Sequence, residues 1–236
     1  MNSDIPKVLH KIAGKPMILY LLDTLKETSL EKIVIVVGHG KEQVISTVTD
    51  WAKSAPDLRI LFSEQNEQFG TGHAVLSAKE HLVSDEQYLL VLLGDVPFIK
   101  SDTISQAFQT LSKSGASSVV LSTKLDDPTG YGRVIRGEEG NIQSIVEEKD
   151  ATDFDKKVNE VNTGIFIFNN NDLWNHIDEL ASENSQKEYY LTDMVKILNH
   201  NTKTVGTYFS EDANQFRGIN SKQQLLEIEK EMQVRS

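Results

Sequence analysis

Ile33-Val34-Ile35-Val36-Val37-Gly38-His39-Gly40 is the stretch of sequence that decides the fold. A run of β-branched residues that ends at two glycines is typical of a strand buried on both faces, as in a parallel sheet. Apolar residues recur at helical spacing before this run, from Met17 to Leu25, and a second helix is predicted after it, from Lys41 to Trp51. The alternation of helix and strand predicts an α/β protein.

The same alternation continues along the chain. It predicts strands at Leu58–Phe62, Tyr88–Leu93, Ser118–Leu121, Gly164–Phe168 and Thr204–Phe209, and helices at Gly72–Leu82, Asp102–Leu111, Leu173–Leu180 and Tyr190–Leu198. Because strands and helices alternate up to about residue 121, the sheet should be mainly parallel with right-handed crossovers. A hairpin-like insertion is predicted between Val134 and Val146, which makes the sheet mixed. We predict one domain over residues 1–221 and a charged terminal helix over residues 222–236.

Composition excludes several classes of function. The 236-residue chain has a formal net charge of -11, which disfavours nucleic acid as a partner because Lys and Arg drive phosphate binding. No apolar run approaches the roughly 20 residues that span a bilayer, so no membrane partner is expected. There is no cysteine, which removes disulfides and thiolate metal sites. The amino-terminal residues show no signal-peptide pattern, and we therefore expect a cytoplasmic protein.

Two motifs follow predicted strands at the edge of the sheet where α/β proteins bind ligands. Asp95 comes directly after an apolar strand, and its carboxylate suits Mg²⁺, which prefers oxygen ligands. Taken alone, a Gly-Asp pair is more often a turn or a helix cap. Gly70-Thr71-Gly72 leads into a helix, where backbone N–H groups favour an anion, although any tight turn could use two glycines.

Further polar residues stand where a sugar or a phosphate could bind. Gly132, Glu147 and Asn162 offer donors and acceptors suited to hydroxyl and N-acetyl groups, and Lys7 could reach a phosphate as a point charge. Each has an ordinary structural alternative: a hairpin glycine, a solvent-facing acid, a turn residue and a solvated lysine. Together these motifs are a more specific signal of function than any one of them alone.

That combination resembles the uridylyltransferase domain of the bacterial bifunctional N-acetylglucosamine-1-phosphate uridyltransferase/glucosamine-1-phosphate acetyltransferase family. The resemblance covers essentially the whole chain. The residues that carry it are Pro6-Lys7-Val8-Leu9-His10, Ala13-Gly14-Lys15-Pro16-Met17, Gly70-Thr71-Gly72-His73-Ala74, Asp127-Pro128-Thr129-Gly130-Tyr131-Gly132-Arg133, Val146-Glu147 with Lys149-Asp150, and Glu188-Tyr189-Tyr190. It implies a Rossmann-like nucleotide-diphospho-sugar transferase fold, with a mixed, mainly parallel sheet flanked by helices.

The resemblance also implies an activity. UTP and N-acetylglucosamine 1-phosphate would give UDP-N-acetylglucosamine, a precursor for the cell wall, and pyrophosphate, with Mg²⁺ as cofactor. No protein nucleophile is needed, so catalysis would consist of positioning and charge stabilisation.

Site residues follow from the same resemblance. Catalytic roles are implied for Lys7 and Asp95, and Mg²⁺ would be bound by Asp95 and Asn220. The substrate-binding positions would be Gln65, Gly70, Thr71, Gly94, Gly132, Glu147, Asn162 and Asn220, with the uracil on Gln65, Gly70 and Thr71 and the amino sugar on Gly132, Glu147 and Asn162.

The chain departs from the family pattern at its start. Met1 falls on the last residue of a Leu-Ala-Ala-Gly-x-Gly-Thr-Arg-Met signature, so the family's first strand and glycine-rich phosphate loop are missing. That strand is central in the sheet, and its absence should expose two unpaired strand edges. Leu93 stands where tyrosine or cysteine is usual, and Lys187 where glycine is usual; both should be tolerated. The acetyltransferase domain is also missing, so no coenzyme A chemistry is expected.

Two alternatives to uridylyl transfer by this chain therefore stand. The chain could be a catalytically inactive sugar-nucleotide-binding protein, or a nucleotidyltransferase for another sugar 1-phosphate. The sequence leaves the oligomeric state open.

Overall fold

The computed structural model describes residues 5–82 and 87–235, with side chains up to residue 231. Its strands are β1 (Lys11–Ile12), β2 (Lys15–Pro16), β3 (Lys32–Val37), β4 (Arg59–Glu64), β5 (Tyr88–Val91), β6 (Ser118–Lys124), β7 (Arg133–Arg136), β8 (Ile142–Val146), β9 (Glu160–Asn169) and β10 (Val205–Ser210). Its helices are α1 (Met17–Lys26), α2 (Lys41–Ala52), α3 (Thr71–Ser77), α4 (Lys79–Leu82), α5 (Ser101–Ser114), α6 (Asn170–His176), α7 (Met194–His200) and α8 (Lys222–Arg235). The predicted α/β class is confirmed.

Most predicted elements are present, and three helices have different bounds. The helix predicted over 72–82 is divided into α3 and α4 by a single non-helical residue. The helix predicted over 173–180 begins earlier, at α6, because the side chain of Asn169 accepts a hydrogen bond from the first turn. The helix predicted over 190–198 begins only at α7, after a 3₁₀ turn whose first backbone N–H, that of Leu191, is held by a threonine hydroxyl.

A mixed sheet forms the centre of the molecule. β6 pairs in parallel with β10 and antiparallel with β9. On its other side the long strand β9 pairs antiparallel with β5 and, further along, with β7. The predicted hairpin insertion is confirmed as β7 and β8. The sheet is less parallel than the alternation of elements predicted, because β9 runs against three of its neighbours.

The sheet is also divided. β3 and β4 pair with each other in parallel, and within the described residues neither pairs with the larger sheet. β3 is half-buried along most of its length, and so is all of β5. β6, which has a neighbour on each side, is buried from Ser118 to Thr123. Among the described residues, β3 and β5 therefore each have one edge without a strand partner.

Two apolar layers cover the faces of the sheet. One joins α1, α2 and α5 to the alternate strand residues Val119, Leu121, Ile165 and Ile167. The other joins α3, α6 and α7 to Val120, Phe166 and Phe168. The alternation of neighbouring residues between the layers is the period of two that a strand imposes. It leaves the carboxyl ends of the strands free for polar loops.

The last helix packs on the short β1–β2 hairpin. Ile228 of α8 is buried against Ile12, Met17 and Ile219, and a carboxylate oxygen of Glu229 accepts a 2.9 Å hydrogen bond from a hairpin backbone N–H. None of the helices in the described part of the chain has the length and apolar character required to cross a membrane.

Candidate functional site

Three polar side chains from distant parts of the chain meet beyond the end of β5. The Lys7 ammonium donates hydrogen bonds to Oδ2 of Asp95 and to Oδ1 of Asn220. Lys7 begins a 3₁₀ turn after Pro6, while Asp95 lies in the loop that follows β5. A 3.1 Å hydrogen bond from the backbone N–H of Ile219 to the carbonyl of Asp95 fixes the third segment beside the second.

This arrangement fits a divalent cation. Asp95 and Asn220 direct one oxygen each at a single positive charge, which is the pairing that Mg²⁺ needs when water completes its coordination. Groups of three or more acidic or histidine side chains able to hold a metal are absent from residues 5–82 and 87–231. Asp95 and Asn220 are thus the side chains of this cluster that could hold such a cation, with solvent as its other ligands.

The glycine loop before α3 forms a second part of the site. Gly70 has φ of +101°, and a Cβ built on it would lie 2.7 Å from the carbonyl oxygen of Tyr189. Only glycine meets both constraints without strain. The side-chain amide of Gln65 donates to the carbonyl of Gly70 at 3.2 Å and lies 2.9 Å from Nδ1 of His73. Gln65 and Gly70, which the sequence predicts to bind the base, are thus in contact.

Gly132, Glu147 and Asn162 form a third part. The carbonyl of Gly132 accepts from the backbone N–H of Asn162 at 2.8 Å, and a Cβ built on Gly132 would lie 3.3 Å from Oε2 of Glu147. Asn162 is 8% exposed, and its Oδ1 accepts from the backbone N–H of Gly164 at 3.1 Å. The three predicted sugar-binding residues are neighbours, although Gly132 precedes β7, Glu147 follows β8 and Asn162 lies within β9.

Burial raises the pKa of the Glu147 carboxyl above its usual value. A hydrogen bond from the buried Thr192 hydroxyl to Oε1 of Glu147, at 2.9 Å, opposes this shift, while the nearby acids Asp193, Asp150 and Glu188 add to it. Thr192 therefore holds the carboxylate in one orientation and stabilises its ionised form.

One short segment joins the second and third parts. The backbone of Tyr189 donates to the carbonyl of Phe69 at 2.7 Å and accepts from the N–H of Gly72 at 2.8 Å. Two residues later, the N–H of Leu191 donates to Oγ1 of Thr71 at 3.0 Å. Because Thr192 follows directly and bonds to Glu147, residues 189–192 set the distance between the glycine loop and the sugar-side carboxylate.

Tyr131 joins the third part to the first. Its pKa is raised, mainly by burial and also by the charge of Asp95, and a hydrogen bond with the backbone of Gly218 opposes that shift. The loop containing Gly132 therefore lies against the segment that carries Asn220. These contacts connect the three parts to one another, and Gly94 lies directly before Asp95.

Sequence reasoning missed the contributions of Thr192 and Tyr131. The motif Gly130–Arg133 was recognised, but it gave no sign that the tyrosine reaches across to another loop. A threonine two residues after a tyrosine pair has no pattern of its own, and only the contact with Glu147 distinguishes it.

Two departures noted in the sequence are accommodated. Gly164 has φ of +77°, and a Cβ built there would lie 2.3 Å from Cδ1 of Leu93, so the glycine makes room for the leucine. Lys187 has φ of 56°, the left-handed region that glycine prefers, and the fold is retained with the lysine in place.

Comparison with known proteins identifies the family. The model of the family described as nucleotidyl transferase matches residues 2–228. The bifunctional protein GlmU of Oceanobacillus iheyensis is 39% identical over 235 residues, which is 100% of this chain and 50% of that protein. GlmU of Alkaliphilus metalliredigens is 41% identical over 236 residues, with the same shares covered. The chain thus spans about half the length of the curated relatives it matches.

A solved structure supports the fold. UDP-glucose pyrophosphorylase complexed with UDP-glucose superimposes with a TM-score of 0.76, covering 98% of this chain and 92% of that one. Its sequence identity of 21% limits the likeness to the architecture.

Proposed function

The chain belongs to the nucleotidyl transferase family, and we propose that it transfers a uridylyl group from UTP to N-acetylglucosamine 1-phosphate. The products would be UDP-N-acetylglucosamine, a cell-wall precursor, and pyrophosphate. One observation supports the proposal: the Gln65–Gly70 loop and the Glu147–Asn162 pair are joined through residues 189–192, and Tyr131 joins them to Asp95 and Asn220 around the Lys7 ammonium.

Each part would take one portion of the substrates. Gln65, Gly70 and Thr71 would receive the uracil, since a loop held open by a left-handed glycine exposes backbone groups to a planar base. Glu147 and Asn162 would receive the amino sugar, because an ionised carboxylate accepts from hydroxyl and amide N–H groups while an amide can do both. The fixed spacing through residues 189–192 would select a ligand of matching length.

The reaction needs no covalent intermediate with the protein. An oxygen of the sugar 1-phosphate would attack the α-phosphorus of UTP, forming one P–O bond while the bond to the β-phosphate oxygen breaks and pyrophosphate leaves. The protein would hold the two substrates in line and compensate the phosphate charge, which matters in a chain of net charge -11.

Asp95 and Asn220 would hold Mg²⁺, and Lys7 would assist. The ion would supply charge neutralisation at the phosphates. In the structure the Lys7 ammonium lies between the two oxygens that a metal would use. A cation bound there would displace Lys7, whose charge would then be available to a phosphate group.

A second candidate, binding of the sugar nucleotide without turnover, is favoured by the divided sheet. β3 and β5 each lack a strand partner on one edge among the described residues, and loosely held strands would weaken the positioning that catalysis needs. Substrate recognition by the glycine loop and by Glu147 uses other strands and would persist.

Calorimetric titration of the chain with UDP-N-acetylglucosamine and with UDP-glucose tests the proposed substrate class. We expect tighter binding of the N-acetyl compound by about tenfold, because one additional hydrogen bond contributes about 1 kcal/mol or more. Asn162→Ala should remove that preference, whereas Asn171→Ala, at an exposed position of α6 beyond the other end of β9, should keep it. Equal affinity for both compounds in the unmodified chain would refute the assignment to an N-acetyl sugar.

A further inference from the structure

Arg133 is a charged side chain that the fold buries almost completely. It stands at the start of β7, directly after the site glycine Gly132, and only 2% of its side chain is exposed. Removing an ion from water costs several kcal/mol, and arginine is rarely buried unless it is paired. The groups that bind the guanidinium of Arg133 must therefore compensate its charge.

The guanidinium binds two acceptors at the end of the β7–β8 hairpin. Its Nη2 donates to Oε2 of Glu148 at 2.6 Å, and its Nη1 donates to the backbone carbonyl of Tyr131. The same oxygen of Glu148 accepts from the backbone N–H of Gly130 at 3.3 Å. The bond from Arg133 is the main cause of a lowered pKa of the Glu148 carboxyl, so the pair is ionised. These bonds connect the loop before β7 to the residue that follows Glu147.

The strand register places this ion pair on the face of the hairpin opposite to the site residues. Arg133 is paired with Val146 in the β7–β8 ladder, so Glu148, two residues further on, is its diagonal neighbour. Because side chains alternate between faces along a strand, Gly132 and Glu147 belong to the other face. A Cβ built on Gly132 would indeed lie 3.3 Å from Oε2 of Glu147. Holding the ion pair together on one face therefore fixes the spacing of Gly132 and Glu147 on the other.

The two members of the pair differ in exposure. The side chain of Glu148 is 28% exposed, whereas Nε of Arg133 is buried and has no hydrogen-bond partner in the described part of the chain. A buried ion with an unused donor contributes little net stability, since an apolar side chain could fill the same volume without that cost. The planar guanidinium contributes geometry instead, because two of its nitrogens fix the Tyr131 carbonyl relative to the Glu148 carboxylate.

We propose that Arg133, through its ion pair with Glu148, is a positioning residue that fixes Gly132 relative to Glu147 and thereby sets the affinity for the sugar 1-phosphate. The identity of that substrate rests on the proposed function. The base-side glycine loop is held by the backbone of Tyr189, so the affinity for UTP should not depend on Arg133.

The test measures initial rates of pyrophosphate release by Arg133→Met in the presence of Mg²⁺, with UTP and N-acetylglucosamine 1-phosphate varied in turn. Methionine is flexible enough to fill the site, and it removes the charge and both bonds. We expect KM for the sugar phosphate to rise at least about tenfold while KM for UTP changes by less than about twofold. A residue that only stabilised the fold would reduce the amount of active protein, and hence the maximal rate, without separating the two KM values.

Arg136→Met is the matched control. Arg136 also lies in β7 and forms an ion pair at 2.6 Å, with Glu160, but it stands at the end of the strand away from Gly132. Both KM values of this variant should stay within about twofold of the parent's. Arg133→Lys keeps the charge and loses the planar fork, so it should raise KM for the sugar phosphate by a smaller factor. The lysine variant carries the test if the methionine variant does not fold.

Amide hydrogen exchange tests the positioning role without any ligand. The N–H of Asn162 donates to the carbonyl of Gly132 at 2.8 Å, and the N–H of Asp150 donates to the carbonyl of Glu147 at 3.0 Å. In Arg133→Met both amides should exchange at least about tenfold faster than in the parent, with the amide of Val120 in β6 unchanged.

Unchanged exchange at both amides would overturn the proposal. Faster exchange together with unchanged KM values, or with an equal rise in both, would overturn it as well. A parent chain that releases no pyrophosphate from these substrates would refute the proposed function, and the exchange comparison would then decide by itself whether Arg133 positions Gly132 and Glu147.

Discussion

Replacing Thr192 by valine should lower the free energy of unfolding by an amount that depends on pH. Thr192 is 5% exposed, and its hydroxyl donates to Oε1 of Glu147 at 2.9 Å. Valine keeps the volume and removes the donor. A hydrogen bond to a charged group contributes about 1.5–3 kcal/mol, and because Glu147 is partly solvated we expect a loss of about 1–2 kcal/mol in the free energy of unfolding at pH 8.

The pH dependence follows from the direction of the pKa shift. Burial raises the pKa of Glu147 in the folded chain, so ionisation of this group opposes folding as pH rises above its value in the unfolded chain, about 4.3. The bond from Thr192 offsets part of that cost only when the carboxyl is ionised. The variant should therefore lose more stability than the parent as pH rises from about 4 to 8, and differ little from it near pH 4.

Urea unfolding of both proteins at pH 4 and pH 8 measures this difference. The matched control is Thr123→Val, because the Thr123 hydroxyl is equally buried but donates to a backbone carbonyl, that of Ser210, at 2.8 Å. Its cost should be the same at both pH values. A pH-independent cost for Thr192→Val would refute the assigned interaction with an ionised Glu147. The Thr192 variant should also raise KM for the sugar phosphate about tenfold, since 1.4 kcal/mol corresponds to that factor.

Three further substitutions test other parts of the site. Gly70→Ala should destabilise the fold by about 2–4 kcal/mol in thermal unfolding and weaken UTP binding. The control Gly115→Ala, at φ of +62° with nothing within 4 Å, should cost only about 1 kcal/mol, and similar costs for the two variants would contradict the close approach of Gly70 to Tyr189. Gly164→Ala should lower the free energy of unfolding by at least about 2 kcal/mol. Because Leu93→Ala removes the clashing side chain, the double variant should be about 1 kcal/mol more stable than the sum of the two single effects predicts, and strict additivity would exclude contact between the two residues. Lys7→Met should leave Mg²⁺ affinity, measured by calorimetry, no weaker, because it removes a competing cation from Asp95 and Asn220; a lower affinity would make Lys7 part of the metal site.

The apolar periodicity of the sequence predicted the helices and strands, but it did not predict how the strands pair. The β-branched run at residues 33–37 and its helical neighbours predicted β3, α1 and α2 closely, because apolar spacing records which face is buried. The antiparallel pairing of β9 with β5 and β6 was not predictable from the alternation of elements, since strand order depends on contacts between distant residues.

The sequence predicted which loops after strands carry the candidate site, but it did not predict the hydrogen bonds that join those loops. Asp95 and Gly70 lie in the loops that follow β5 and β4, where the sequence pattern itself indicates ligand contacts. Residues 189–192 lie in an irregular segment, and their role depends on hydrogen bonds to Phe69, Gly72 and Thr71 that no local pattern encodes. Sequence therefore indicated which residues to examine, whereas the spacing between the base-side and sugar-side parts required the structure.

Pyrophosphate release from UTP and N-acetylglucosamine 1-phosphate, measured with and without Mg²⁺, tests the central claim most directly. The chain should be compared with Asp95→Asn and with Asp57→Asn, an exposed acid outside the site. The account predicts Mg²⁺-dependent release by the parent and by Asp57→Asn, and a loss of at least about 100-fold for Asp95→Asn with the fold retained. Near-normal release by Asp95→Asn, or release that does not depend on Mg²⁺, would contradict it.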